Sequence, residues 1–361
     1  MSLVLMENHR AVQPAPARNF IREALAARNF FWTLEFVPSA DQVLRDQLNQ
    51  SAPLLAAAGH AAAVAGFSVS DRVHSDRDPD PVATASHIAS RTGKQPLVHW
   101  SGKGREQEDL QRSVARMADM GLDNMLVLTG DKLKEPSQGV RDRYLESVPA
   151  VSLVKCWRPE TLVAVAINPF KYREEDAMAQ YLKLGKKVGA GADFAIAQVG
   201  FDHAKHEELA EWVEHRNFAL PLVANLMLLR ARSARFMRKH QLAGVTVTDS
   251  FLELLEVEEK LPDQGAQRSM RRLALQICGL KLLGYAGVQL TGMHAPVQLQ
   301  RLDDQVSELG ELCRDASVWR QAWQECMSFP QGASVAVAPR NAWYRAASFS
   351  APVSPLPVAA R

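Results

Sequence analysis

Short apolar runs alternate along the chain with longer stretches in which apolar side chains recur at helical spacing. The short runs, at 31–36, 61–69, 96–100, 124–128, 162–167, 194–199, 220–227 and 288–290, read as eight strands. Between them the period predicts helices over 41–58, 81–91, 106–120, 141–154, 174–188, 203–216 and 233–240, with an amphipathic helix over 269–283 before the last strand. The run from Leu162 to Ile167 is apolar on both faces, which suits a parallel sheet covered on each side. Repeated strand–helix units in this number predict an α/β chain: a single (β/α)8 TIM barrel with an N-terminal helix and a C-terminal extension. A doubly wound open sheet is the alternative, although no G-x-G-x-x-G follows the first strand.

The predicted organisation is an N-terminal segment over 1–19, the barrel over 20–300, and a helical extension with a Pro/Ala/Ser-rich tail over 301–361. An acidic segment around 245–263, with Glu253, Glu256, Glu258 and Glu259, interrupts the pattern and reads as an insertion before the last strand. Trp319 and Trp323, at i and i+4, read as the packing face of a helix laid on the barrel. Beyond Phe329 the prolines forbid a long helix, so the tail is expected to lie loosely over the surface.

Composition narrows the class. The chain has 361 residues and needs no staples for its core, and its four cysteines form no CxxC pair. Reduced thiols are therefore expected, with no zinc knuckle. A net charge of +2 from interspersed charges, without a basic stripe, argues against nucleic acid. The apolar runs are too short to span a bilayer, and Glu7 and several prolines stand where a secretory apolar region would lie. The expectation is a soluble cytoplasmic protein that forms no membrane contact, with a homo-oligomer left open.

Thr33-Leu34-Glu35-Phe36-Val37-Pro38 puts one carboxylate at the end of an apolar strand that a proline stops. Burial disfavours an ionised glutamate, which is what a general acid needs, while pairing with an arginine is the equal alternative. In a barrel the βα loops converge at the C-terminal strand ends, where this chain places Glu35, Ser70, Asp71, His99, Asp131, Asn168, Gln198 and Asn225. His99 reads equally as a hydrogen-bonded core histidine. His203 and His206, in an Asp/Lys/Glu-rich helix start, read as a solvated face and not as a metal site. Glycine-bearing loops at 101–105 and 129–132 suit close approach of a phosphate-bearing cofactor, with Lys103 or Arg105 as charge partners.

Three runs together resemble the methylenetetrahydrofolate reductase family: Leu34 to Pro38, Leu126-Val127-Leu128-Thr129-Gly130-Asp131, and the stretch from Lys186 through Gly189-Ala190-Gly191-Ala192-Asp193 to Gln198. The resemblance covers roughly 20–300 and implies a barrel holding FAD. It further implies hydride transfer from NADH or NADPH through the flavin, by a ping-pong scheme, to 5,10-methylenetetrahydrofolate. The product would be 5-methyltetrahydrofolate, the one-carbon unit of methionine biosynthesis. By the same resemblance Glu35 is the acid that opens the folate ring, Asp131 the charge beside flavin and pterin, and Gln198 a folate ligand. His99, Thr129, Gly130, Asn168, Tyr172 and Lys187 fall at flavin-contacting positions, and no metal is implied. The chain departs from the family pattern in carrying Thr129 where many members have arginine, Asn168 before Pro169 where they have tyrosine, and Tyr172 at a histidine position. From Asn225 to Arg238 the usual glutamine and phenylalanine have no clear match. A flavin-free one-carbon relative and a non-catalytic folate-binding subunit of a methyl-transfer system are the alternatives.

Overall fold

A computed structural model describes residues 17–130, 144–312 and 314–335. Eight parallel strands close on themselves in chain order, the eighth pairing with the first, so the sheet is a barrel and not an open doubly wound layer. In sequence, α1 (Phe20–Ala27) precedes β1 (Phe31–Phe36), and α2 (Leu44–Gln50) and α3 (Ala52–His60) lead to β2 (Val64–Val69). Then come α4 (Pro81–Thr92), β3 (Leu97–Ser101), α5 (Gln107–Asp119), β4 (Asn124–Leu128), α6 (Ser147–Trp157) and β5 (Leu162–Ile167). They are followed by α7 (Glu174–Gly189), β6 (Phe194–Ala197), α8 (His203–His215) and β7 (Leu222–Met227). Three helices, α9 (Ala231–Lys239), α10 (Asp249–Glu258) and α11 (Ala266–Leu282), separate β7 from β8 (Gly287–Thr291). After the barrel come α12 (Pro296–Leu312) and α13 (Ala316–Cys326).

Several bounds shift by a few residues, the helix expected over 141–154 running from Ser147 to Trp157 with 141–143 outside the described residues, and two elements differ in kind. The single helix expected over 41–58 is two, because Ser51 ends α2 and starts α3, with Pro53 in the first turn of α3, where its missing N–H is no loss. The acidic interruption contains α10, whose N-cap Thr248 accepts from the Phe251 N–H, and whose Phe251, Leu254 and Leu255 are buried.

Strand alternation sorts the apolar side chains into two layers. Trp32, Leu34, Phe67, Val98, Trp100 and Leu290 belong to the layer between barrel and helices. Phe31, Leu97, Leu126, Leu162, Phe194 and Val223 form an inner cluster with Ile21, against which Phe20, Ala24 and Leu25 pack. The amphipathic face of α1 therefore plugs the N-terminal end of the barrel. The Asn19 amide fixes the plug, its Oδ1 capping α1 at the Arg22 N–H and its Nδ2 donating to Asn124 Oδ1 at the start of β4, 2.7 Å away. Of the two barrel ends, this leaves the C-terminal strand ends open to a ligand.

The tryptophan helix packs as the spacing predicts: Trp319 is buried and its Nε1 donates to the Leu275 carbonyl at 2.8 Å. This packing overturns one expectation, since His203 and His206 are not solvated. They are 4% and 0% exposed, with His203 tilted against Trp319 of α13 at 4.2 Å between centroids and His206 edge-on to Tyr285. Among the described residues no group of His, Cys, Asp or Glu is arranged to hold a metal ion, and no helix is long and apolar enough to cross a membrane. Cys156 and Cys326 are free thiols. The tail beyond 335 lies outside the described residues.

Candidate active site

With Leu34 and Phe36 in the layer under the helices, Glu35 faces the barrel axis. The strands on either side of β1 hold its carboxylate. The Ser70 hydroxyl, just past β2, donates to Oε1 at 2.7 Å, and the Thr291 hydroxyl, at the end of β8, donates to Oε2 at 2.5 Å. Thr291 Oγ1 also lies 2.8 Å from the Asn225 amide oxygen on β7. Four neighbouring strands thus contribute to one polar chain. Thr291 has no place in the sequence reading, which ended the last strand at Leu290; the alternation Gln289-Leu290-Thr291 before Gly292 was the signal.

His99, on β3, is buried with its Nε2 2.5 Å from the Ser68 hydroxyl. Burial pushes its imidazole below the usual range, against the pull of Glu35 and Asp71, so the ring is neutral at pH 7. Asp71 is a strut. Its buried carboxylate accepts from the Ser101 N–H at 2.8 Å and from Arg105 through both oxygens at 2.5 and 3.2 Å. Arg105, a candidate phosphate partner by sequence, is therefore committed to Asp71.

A second group gathers where β4 meets α6 and α7. Gly130 has φ +85°, and a Cβ there would stand 2.1 Å from Ser101 Oγ, so only glycine fits between the ends of β3 and β4. Thr129 donates to Glu146 at 3.0 Å and accepts from the Ser147 N–H at the start of α6. Lys183 donates to the same Glu146 oxygen at 2.7 Å, and that bond holds the Glu146 carboxyl below its usual range. One turn on, Lys187 is buried with its Nζ donating to the Ala166 carbonyl at 2.6 Å. No carboxylate among the described residues lies within ion-pair distance of it. Desolvation chiefly, with Lys183 adding and Glu146 opposing, lowers its amine to about 8. Asp131 lies outside the described residues.

Asn168 and Gln198, past β5 and β6, meet under one loop. Asn168 Nδ2 donates to the Gly244 carbonyl at 3.0 Å, and a Cβ on Gly244, at φ +76°, would come within 2.8 Å of Gln198 Nε2. The loop between α9 and α10 therefore lies across these two strand ends. Tyr172 stands apart from both groups. Its hydroxyl donates to Asp202, the N-cap of α8, at 3.2 Å, and burial pushes its phenol up.

The family model described as methylenetetrahydrofolate reductase matches residues 20–293. Methylenetetrahydrofolate reductase 1 of Schizosaccharomyces pombe is 25% identical over 186 residues, covering 50% of this chain but 30% of that protein. The chain therefore aligns with less than a third of that relative's length. Among solved structures, an uncharacterized protein from Clostridium thermocellum that binds two copies of 5-methyl-5,6,7,8-tetrahydrofolic acid superposes with a TM-score of 0.58. It shares 11% identity over 81% of this chain and 99% of its own, a likeness of fold. With Glu35 turned into the barrel and the family model spanning the barrel from α1 past β8, the chain belongs to the methylenetetrahydrofolate reductase family.

Proposed function

We propose that the protein reduces 5,10-methylenetetrahydrofolate to 5-methyltetrahydrofolate with NADH or NADPH and FAD, the two substrates alternating at one site. The observation that carries this reading is the Glu35 clamp. The Ser70 and Thr291 hydroxyls aim the Glu35 carboxyl into the barrel mouth, where in this reading it serves as the acid that opens the folate ring at nitrogen and exposes the methylene carbon as an iminium.

FAD, when bound, supplies the relay that accepts hydride from the nicotinamide and gives it to that carbon. The chain's residues fit one phosphate of such a group. Lys187 is a desolvated amine without a carboxylate partner among the described residues, and Thr129 stands by the start of α6. In this reading Gln198 holds folate, Asp131 sets the charge beside the two rings, and His99, Gly130 and Asn168 complete the flavin wall, with Tyr172, bonded to Asp202, outside it.

An absorption spectrum tests it. Oxidised flavin bands should bleach on anaerobic addition of NADH and return with 5,10-methylenetetrahydrofolate. A colourless preparation that takes up no FAD would sink the flavin reading. Glu146 favours a flavin-free relative as the second reading, because that carboxylate already neutralises Lys183 beside Thr129. In that case the purified chain would bind 5-methyltetrahydrofolate, the ligand of the Clostridium protein and the product here, without flavin.

A further inference from the structure

Outside the barrel mouth, a cavity of about 700 Å³ opens between the start of α8, the start of α10 and the side of α13. That volume is within the range of small-molecule sites. A loop divides it from the strand ends. Gly244 faces Asn168 and Gln198, whereas Thr246 and Thr248, a few residues on, line the cavity.

The charges of the wall are already answered. Asp249 is ion-paired with Arg238 at 2.5 Å. Asp202 caps α8, accepting from the Ala204 N–H at 3.1 Å and from the Tyr172 hydroxyl. Asp202 and Glu207 are set against Arg320 and the N-termini of α8 and α10, each worth roughly half a positive charge, so the lining is balanced. His203 adds no charge, because burial holds its imidazole well below the usual range. A charged ligand would give up hydration here without gaining a free counter-charge, so the wall favours a neutral one.

Its surface is aromatic. Tyr172, Phe201, Phe251, Trp319 and Trp323 contribute five rings, with Trp319 and Trp323 stacked at 5.9 Å and 12°. Trp319 Nε1 donates to the Leu275 carbonyl, whereas the N–H of the half-buried Trp323 bonds to no described residue. The half-buried hydroxyls of Thr246 and Ser250 are likewise unbonded among the described residues. A flat ring can stack against such a wall while its own polar atoms meet these groups.

We infer that this cavity binds a small neutral heteroaromatic molecule, separately from the site at the barrel mouth. An aliphatic ligand of equal size would forgo the stacking. A pure hydrocarbon ring would strip water from the hydroxyls and return no hydrogen bond.

Three indoles of similar size test this on the full chain, by calorimetry at fixed ionic strength: neutral tryptophol, the cation tryptamine and the anion indole-3-acetate. Tryptophol should bind saturably and roughly tenfold more tightly than either charged homologue. Trp323→Leu should weaken tryptophol by roughly tenfold. Thr246→Val, which keeps the shape and loses the hydroxyl, should weaken it by roughly threefold with an unchanged circular dichroism spectrum. Should Trp323→Leu fail to fold, Thr246→Val and the comparison of the three probes decide. Absence of saturable tryptophol binding, a charged indole bound as tightly as tryptophol, or wild-type affinity in every folded variant overturns the proposal.

Discussion

Glu35 is held by two hydroxyls from different strands, which defines what each partner should do when it is removed. Glu35→Gln keeps the shape and loses the acid. We expect flavin reduction by NADH to persist while folate reduction falls by roughly 10²-fold or more, read as separate half-reactions in a stopped-flow instrument. Equal loss in both would show that the carboxyl has another role. Thr291→Val removes the hydroxyl's contacts with Glu35 and Asn225 and keeps the volume, so the folate half-reaction should slow by about tenfold with an altered pH profile, and Thr291→Ser should restore both. Lys187 gives a pH signature. Its free amine titrates at about 8 and its charged form is the one an anion binds, so FAD affinity should fall as pH rises above about 8, up to tenfold per unit. Lys187→Met should bind FAD weakly with that dependence gone. Glu35 was legible from its own strand because a proline stop and apolar neighbours are local facts. Thr291 and the Asp71–Arg105 pair were not, since a side chain's partner across a barrel is set by strand register, which no local window contains.

At the scale of elements, period carried most of the architecture. The runs at 31–36, 124–128 and 162–167 are strands with those bounds, and 162–167, covered on both faces, is apolar throughout. The start of α8 misled for a physical reason: His203, Lys205, His206 and Glu208 look like a solvated face, yet all are buried. Lys205 pairs with Glu208 at 2.9 Å, Tyr181 donates to Glu208 at 3.0 Å, and α11 and α13 arrive from later in the chain to cover them. Gly279 is the contact point of those helices. A Cβ there would stand 2.4 Å from the Trp319 ring and 2.7 Å from His203 Cε1. Gly279→Ala gains up to about 1 kcal/mol of helix propensity but must displace two buried rings, which costs about 1–3 kcal/mol. The clash should win, lowering the urea midpoint by the equivalent of about 1–2 kcal/mol. An unchanged midpoint would mean that α13 docks more loosely than its geometry requires.

Over the whole molecule the barrel is sealed at its base by α1 and lined with polar groups at its top, and the histidines divide along the same line. His99 lies among the strand-end groups, while His203 and His206 are locked between α8 and the later helices. Burial lowers all three below the usual histidine range, to about 3 for His206. The sign follows from proton counting. Below about pH 6.5 the unfolded chain binds more protons at these positions than the folded chain, so unfolding is favoured as pH falls. Stability should be fully present above about pH 6.5 and decline in acid, His206 contributing a slope of about 1.4 kcal/mol per pH unit down to about pH 3. Carboxylates such as Asp78, held down by backbone N–H groups, also weaken the fold in acid, so the total slope does not isolate the histidines. His206→Phe does. It keeps a ring against Phe170 and Tyr285, and it leaves the Tyr285 hydroxyl its bond to the residue 206 carbonyl, while removing the titration. Between pH 6 and pH 4, urea denaturation of the variant should show a slope shallower by about 1.4 kcal/mol per pH unit. Parallel curves for the variant and the parent would place the His206 proton affinity near that of an exposed imidazole and undo the account of α8 as a dry, neutral seam.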